Sequence, residues 1–166
     1  MRGAGAGSKP WGTLMSCSLA AGLLGAAPRP HASLEDKIPA LKSARQGARE
    51  RLGRPECQAV LTDFKSVNGG RLDQVLRSTG RTAQEQLDLM VFESGLGRQD
   101  CARSAVLAST SVHSSVALIC LRPFALLRPV EQEAVLIHEM LHSLGLGENP
   151  PESVVITAQV MTRCGH

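Results

Sequence analysis

The chain has 166 residues, 43% of them hydrophobic, which suits one globular domain with a real core and argues against disorder. Its formal net charge of +3 is small, and its 18 Lys and Arg residues are scattered along the chain. With no Tyr, one Trp and three Phe, it has almost no aromatic side chains that could stack on bases, so we exclude nucleic acid as a partner.

The N-terminal residues have the layout of a secretory signal peptide: a weakly basic start, an uncharged stretch over residues 14–27, and small side chains at its end. We predict a signal peptide over residues 1–27, with an approximate cleavage position, and a single mature domain over residues 28–166. The uncharged stretch is shorter than the about 20 residues of a membrane span, and we expect no stable span elsewhere. The alternatives are a flexible Gly/Ala-rich tail and a lipoprotein cleavage box ending at Cys17.

Four cysteines remain after the predicted leader: Cys57, Cys101, Cys120 and Cys164. An even number suits two disulfides, and four cysteines allow three pairings between which the sequence does not choose. No two of them have the Cys-x-x-Cys spacing of a zinc site. We therefore expect a secreted or periplasmic protein.

Amphipathic and capping patterns predict helices in the first half of the mature chain. Apolar residues recur at helical spacing over residues 34–52, with Pro39 near the first turn and basic side chains on the other faces. Thr82 and Glu85 have the spacing of a capping box. The predicted elements of this half are helices over residues 34–52, 56–64, 72–76 and 84–89, and a turn over residues 68–70.

The second half predicts a small sheet followed by a long helix. The chain becomes β-like over residues 89–92, and two β-prone runs, residues 104–110 and 115–121, flank a turn and predict a hairpin. Pro129 suits the first turn of a long helix, and residues 156–164 are typical of a terminal helix. Helices before and after a small sheet predict an α+β fold.

The long helix carries three polar side chains through the otherwise apolar run VLIHEMLHSLGLGENPP, residues 135–151. His138 and His142 project from one face, while Glu139 lies about 100° round the helix axis. Burying such groups without partners would cost several kcal/mol. A zinc ion would offset that cost, because two neutral His nitrogens four residues apart both reach one metal at about 2.0–2.1 Å. The triplet therefore predicts a metal site on a buried helix, whose apolar stripe is formed by Val130, Ala134, Ile137, Leu141 and Leu144.

The spacing His138-Glu139-x-x-His142 resembles the HExxH signature of the zincin metallopeptidases. Gly145 suits a left-handed helix end that turns the chain back, and Glu148 follows three residues later. The whole string is similar to the metzincin layout HExxHxxGxxH, with glutamate in place of the third histidine. On this resemblance Glu148 is the third metal ligand, since a carboxylate oxygen is an acceptable ligand for zinc.

Other interpretations of the acidic position stay open. Glu152 is the rival third ligand, Asn149 is a candidate partner behind the ligands, and Glu148 could be a simple surface charge. The resemblance is strongest over residues 115–164, and it is nearest to small secreted bacterial zincins.

The resemblance also implies a mechanism and a substrate class. Zinc held by three protein ligands keeps an open position for water, and Glu139 would act as the general base for that water. A peptide or protein substrate would bind antiparallel to an edge strand just before the metal helix, and residues 115–121 occupy that position in the sequence. The alternative is that these residues form a central strand.

Two further zincin features have weak candidates here. A side chain that stabilises the oxyanion would have to be His113, His166 or Arg163, because the chain has no tyrosine. The methionine turn of the metzincins could come only from Met161, which we expect inside the terminal helix. The alternative functions are a non-catalytic zinc-binding domain and a disulfide-stapled interaction domain, and the ligand set also tolerates other divalent metals.

Overall fold

The structure, a computed structural model, describes residues 33–102 and 106–166. Within these two ranges the architecture is α+β, with nine α-helices and one three-stranded sheet. The predicted signal peptide lies outside the described residues, and so does the start of the predicted strand over residues 104–110. The helices are α1 Leu34–Lys37, α2 Pro39–Leu52, α3 Pro55–Gln58, α4 Val60–Asp63, α5 Leu72–Ser78, α6 Ala83–Asp88, α7 Leu121–Ala125, α8 Pro129–Ser143 and α9 Ser153–Cys164. The strands are β1 Val91–Ser94, β2 Ala108–Thr110 and β3 Val116–Ile119.

The predicted amphipathic helix over residues 34–52 is present, but it is divided into α1 and α2 at Ile38. The division follows from Pro39, which has no N–H to continue α1 and occupies the first turn of α2. The buried face of α2 is formed at helical spacing by Leu41, Ala44, Ala48 and Leu52. This face packs on α8, which makes α2 the main support of the helix that carries the polar triplet.

A buried ion pair ties α2 to α8. Arg51 pairs with Glu133, and both side chains are largely buried. Gly47 faces Glu133 so closely that a Cβ there would overlap its carboxyl group. The same Arg51 also donates to the backbone carbonyl of Cys164, so one guanidinium links three helices.

The sheet has the strand order β1-β3-β2. β3 pairs antiparallel with β2, through Thr110 opposite Ala117, so the predicted hairpin is confirmed. β3 also pairs in parallel with β1, through Phe92 opposite Ala117, and it is therefore the central strand. The prediction that residues 115–121 form the edge strand is wrong, because the β-like run around residue 91 takes the second side of β3.

Helices α6 and α8 begin where the capping and proline patterns in the sequence predicted. Thr82 and Glu85 form the predicted capping box on α6. Pro129 lies in the first turn of α8, where Glu131 accepts from the Arg128 backbone N–H. The helix α7 was not predicted, because its residues continue an apolar run that favours a strand equally well.

Two disulfides settle the pairing that the sequence left open. Cys57 bonds to Cys164 and joins α3 to the end of α9, while Cys101 bonds to Cys120 and joins the 3₁₀ turn Asp100–Ala102 to the end of β3. These bonds are compatible with an extracellular or periplasmic compartment. Among the residues that the structure describes, no helix combines the length and the apolar character needed to cross a bilayer.

Candidate metal centre

The three predicted ligands lie together at the end of α8. The Nε2 atoms of His138 and His142, one turn apart on the helix, are 2.9 Å from each other. Glu148 Oε1 lies 3.4 Å from the first Nε2 and 3.3 Å from the second. Two donors bound to one tetrahedral zinc at about 2.0–2.1 Å lie about 3.3 Å apart, so the two His–Glu separations match a shared ion. The group could hold a metal ion.

A glycine turn brings Glu148 back to the helix. Gly145 has φ +99°, and its N–H donates to the carbonyl of His142 at 2.9 Å. The N–H of Leu146 donates to the carbonyl of Leu141 at 3.1 Å, which completes a Schellman motif. The left-handed turn predicted at Gly145 is confirmed, and it reverses the chain so that residue 148 faces the two imidazoles.

Hydrogen bonds to the other ring nitrogens orient both imidazoles. His142 Nδ1 is 2.8 Å from the carbonyl oxygen of Leu146, which can only accept, so Nδ1 carries a proton. In the neutral form of this ring the lone pair is then at Nε2. His138 Nδ1 is 2.9 Å from the Thr157 hydroxyl, which can accept in the same way. When both rings are neutral with Nδ1 protonated, their two Nε2 lone pairs and the Glu148 carboxylate point at one place, and such a set of acceptors fits a divalent cation.

The charge state of Glu148 suits a ligand. Its pKa is lowered to about 2, mainly by the hydrogen-bonding contact with His138, with help from Ser153 and His142 and against the opposing effect of burial. The side chain is 38% exposed, whereas the two histidine side chains are about 5% exposed. Glu148 is thus an ionised group that closes the cluster on its solvent side.

Glu139 lies next to the cluster in a different environment. It is 5% exposed, and burial raises the pKa of its carboxyl to about 7, against smaller opposing effects of the Thr110 hydroxyl and of His142. Its Oε2 atom is inaccessible to solvent and has no hydrogen-bond partner within residues 33–102 and 106–166. A cation held by His138, His142 and Glu148 would lower this pKa and favour the carboxylate.

The cluster opens into a cleft of about 840 Å³. One wall is β2 with its flanking residues, and the other walls are α8 and the start of α9. The Cys120 N–H donates to the Leu107 carbonyl, so the alternating ladder turns the backbone groups of Ala108 and Thr110 away from β3. This edge of β2 faces away from its only partner strand among the described residues.

Comparison of the chain with protein-family profiles, with curated proteins and with solved structures finds no match. The chemistry of the cleft must therefore be inferred from its own side chains.

The candidates for oxyanion stabilisation lie away from the cleft. His113 packs on Gly145 and lines a separate pocket of about 420 Å³. Arg163 pairs with Asp63 at 2.8 Å, and the backbone carbonyl of His166 accepts a hydrogen bond from Arg51. None of the three lines the cleft, because each is held by a different part of the fold.

The structure also places the other residues that the sequence offered as candidates for the site. Glu152 is the N-cap residue of α9 and is outside the ligand group, and Asn149 has an exposed side chain and a left-handed backbone with φ +59°. Met161 lies within the predicted terminal helix, now α9, and packs partly against the core. Thr110 and Thr157 line the cleft but escaped the sequence analysis, since no local pattern distinguishes them from other threonines.

Proposed function

We propose that the chain is a secreted or periplasmic zinc-dependent metallopeptidase of the zincin type. One observation carries the proposal: a convergent His138, His142 and Glu148 group beside a buried Glu139, all in the wall of one open cleft. The two disulfides support export. Zinc is the proposed metal because two imidazoles and one carboxylate form a known catalytic zinc set.

Each residue of the cleft has a separate task in this proposal. Bound by His138, His142 and Glu148, a zinc ion would supply Lewis acidity and an open coordination position. Glu139 takes the proton of the attacking water and passes it to the leaving amine, a role open to its carboxyl because a cation held by the ligand group would favour the carboxylate form. The Thr157 hydroxyl and the Leu146 carbonyl hold the two imidazoles in orientation.

The proposed substrate is an extended peptide segment. The outward backbone groups of Ala108 and Thr110 offer an N–H and a C=O each along the cleft, so a peptide can add to β2 as a further strand. An unfolded or flexible protein satisfies this requirement better than a folded one, since its backbone groups are free. β2 thus takes the role that the sequence analysis assigned to residues 115–121.

A non-catalytic metal-binding domain is the second candidate. It is favoured by the placement of His113, His166 and Arg163 outside the cleft. Among the lining residues within 33–102 and 106–166, only the proposed ligands then offer an imidazole, and none offers a cationic side chain, to stabilise an oxyanion. A peptidase without such a group would be slower. The two candidates differ in turnover but not in metal content.

The test compares metal content with cleavage of an unfolded protein substrate. We expect the purified wild type to hold about one zinc per chain and to cleave, and His138→Ala to lose both properties. Glu139→Gln should keep the zinc and lose about 100- to 10,000-fold in kcat, since it removes only the base. Glu152→Gln, an exposed glutamate near the site, is the matched control and should behave as wild type. If Glu139→Gln cleaves as well as wild type, the peptidase proposal fails; zinc binding without any cleavage supports the non-catalytic domain.

A further inference from the structure

We propose that Thr110 is a positioning residue whose hydroxyl donates to Glu139 Oε2 and holds the carboxylate in the orientation needed for catalysis. This inference rests on the proposed function of Glu139 as base. It concerns a residue of β2 that belongs neither to the ligand group nor to the HExxH spacing.

Two buried polar atoms, one from Thr110 and one from Glu139, belong to elements that face each other. Thr110 Oγ1 and Glu139 Oε2 are both inaccessible to solvent, and neither has a hydrogen-bond partner among the described residues. β2 and α8 pack against each other, and both residues line the same cleft.

The Thr110 hydroxyl and the Glu139 carboxylate are complementary as donor and acceptor. An ionised carboxylate only accepts hydrogen bonds, and a threonine hydroxyl has one proton to donate. Leaving both atoms unpaired in a buried place would impose two separate penalties, whereas one hydrogen bond between Thr110 and Glu139 removes both. Bonds from a hydroxyl to a charged oxygen are among the stronger ones in proteins.

A hydrogen bond from Thr110 would decide which oxygen of Glu139 faces the cleft. With Oε2 held by Thr110, the other oxygen of Glu139 is the one left to face the cleft and meet a water molecule. The backbone of Thr110 lies on the edge to which the peptide would add, so the residue that aligns the base would also contact the substrate strand. Substrate and base are thereby placed relative to each other by one residue, and orientation of this kind contributes strongly to rate.

The first experiment measures turnover of the zinc-loaded protein with an unfolded protein substrate. Thr110→Val removes the hydroxyl but keeps the shape, and we expect kcat to fall about tenfold while KM and zinc content stay within about twofold of wild type. Thr110→Ser keeps the donor and should restore kcat to within about threefold. A merely structural role would not separate Val from Ser in kcat alone. Equal kcat for Thr110→Val and wild type would overturn the inference.

The second experiment needs no activity and uses the metal-free protein in chelator. Thr110→Val leaves Glu139 Oε2 without its donor, so Tm should fall by about 4 °C. In the Glu139→Met background the same substitution should leave Tm unchanged or raise it, because no acceptor remains to be deprived. A fall of the same size in both backgrounds would show that the two side chains do not bond. If the wild type proves inactive, the peptidase proposal fails, and this cycle still decides whether Thr110 holds Glu139.

Discussion

Replacing Glu148 with glutamine tests the ligand group at its most accessible member. The substitution keeps the size of the side chain and removes its charge. In the structure Glu148 Oε1 lies within 3.4 Å of both imidazole Nε2 atoms, and the pKa of the carboxyl is lowered to about 2, so an ionised oxygen is lost at neutral pH. Zinc affinity should fall sharply, because the neutral amide oxygen is a poorer partner for a divalent cation.

The loss of zinc affinity in Glu148→Gln has a lower bound. Substituting a residue that only supports a metal ligand costs about 10- to 100-fold in affinity, so loss of a ligand should cost at least about 100-fold, or about 2.7 kcal/mol. With free zinc at about 1,000 times the wild-type Kd, binding stabilises the wild type by about 4.1 kcal/mol and Glu148→Gln by about 1.4 kcal/mol. For a domain of this size the variant's zinc-induced rise in Tm should then be about 5–10 °C smaller.

The assay is competition with a chromophoric chelator, combined with thermal unfolding with and without zinc. Glu152→Gln is the matched control, since Glu152 caps α9 without a side-chain hydrogen bond and lies outside the ligand group. We expect its affinity and Tm to equal those of the wild type. Wild-type zinc affinity in Glu148→Gln, or an equal loss in both variants, would refute the assignment of Glu148 as third ligand.

Three further predictions concern the fold around the site. In urea unfolding, Gly145→Ala should lose at least about 1 kcal/mol more unfolding free energy than Gly69→Ala. Both glycines have positive φ, but of the two only Gly145 lies where a Cβ would overlap another side chain, that of His113, so equal losses would contradict this explanation. Asp63→Asn should be less stable than wild type at pH 7, because Arg163 lowers the pKa of Asp63 in the folded state. The difference should be full above the unfolded pKa of about 4, shrink below it and vanish only below the lowered folded-state pKa, and a difference that persists in strong acid would exclude this cause. Replacing Cys57 and Cys164 with alanines should lower the unfolding free energy by about 1.5 kcal/mol more than replacing Cys101 and Cys120, because the two disulfides close loops of 107 and 19 residues. The reverse order in denaturant unfolding would show that loop entropy does not dominate.

Local signals predicted the helices well and the sheet only in part. The capping box at Thr82 and the proline at the start of α8 act within one helical turn, so sequence alone reveals them. The order of the strands depends on which segments meet in space, and three β-prone runs allow more than one order. The structure pairs β3 with β1 as well as with β2, and this non-local choice moved the free edge from residues 115–121 to β2.

The residues of the candidate site also differ in how far the sequence could predict them. His138, Glu139 and His142 share one helix, so their spacing predicts their relative directions directly. Glu148 needed the further expectation of a left-handed turn at Gly145, which a glycine can signal. Residues contributed by other elements, such as Thr110 and Thr157, are brought to the cleft only by tertiary packing, and no spacing in the sequence places them there.

The three proposed ligands lie within 11 consecutive residues, but contacts from distant parts of the chain also hold their geometry. The N–H of Val67, far away in the sequence, donates to the Gly145 carbonyl at 2.8 Å, and Ser66 forms a β-bridge with Leu146, the residue that orients His142. Thr157 of α9 supplies the hydrogen bond to His138.

A synthetic peptide of residues 135–151 contains all three ligands but none of these supports, and a peptide of this length is only marginally helical in water. Ordering even two or three of its residues on binding would cost about 3 kcal/mol, so we expect its zinc affinity to be at least about 100-fold weaker than that of the whole chain in the same chelator competition. A peptide carrying His142→Ala should be weaker still, which separates specific binding from loose attachment. Equal affinity of peptide and whole chain would mean that the turn at Gly145 organises the site by itself, and that the contacts from Val67, Ser66 and Thr157 serve the fold and not the metal.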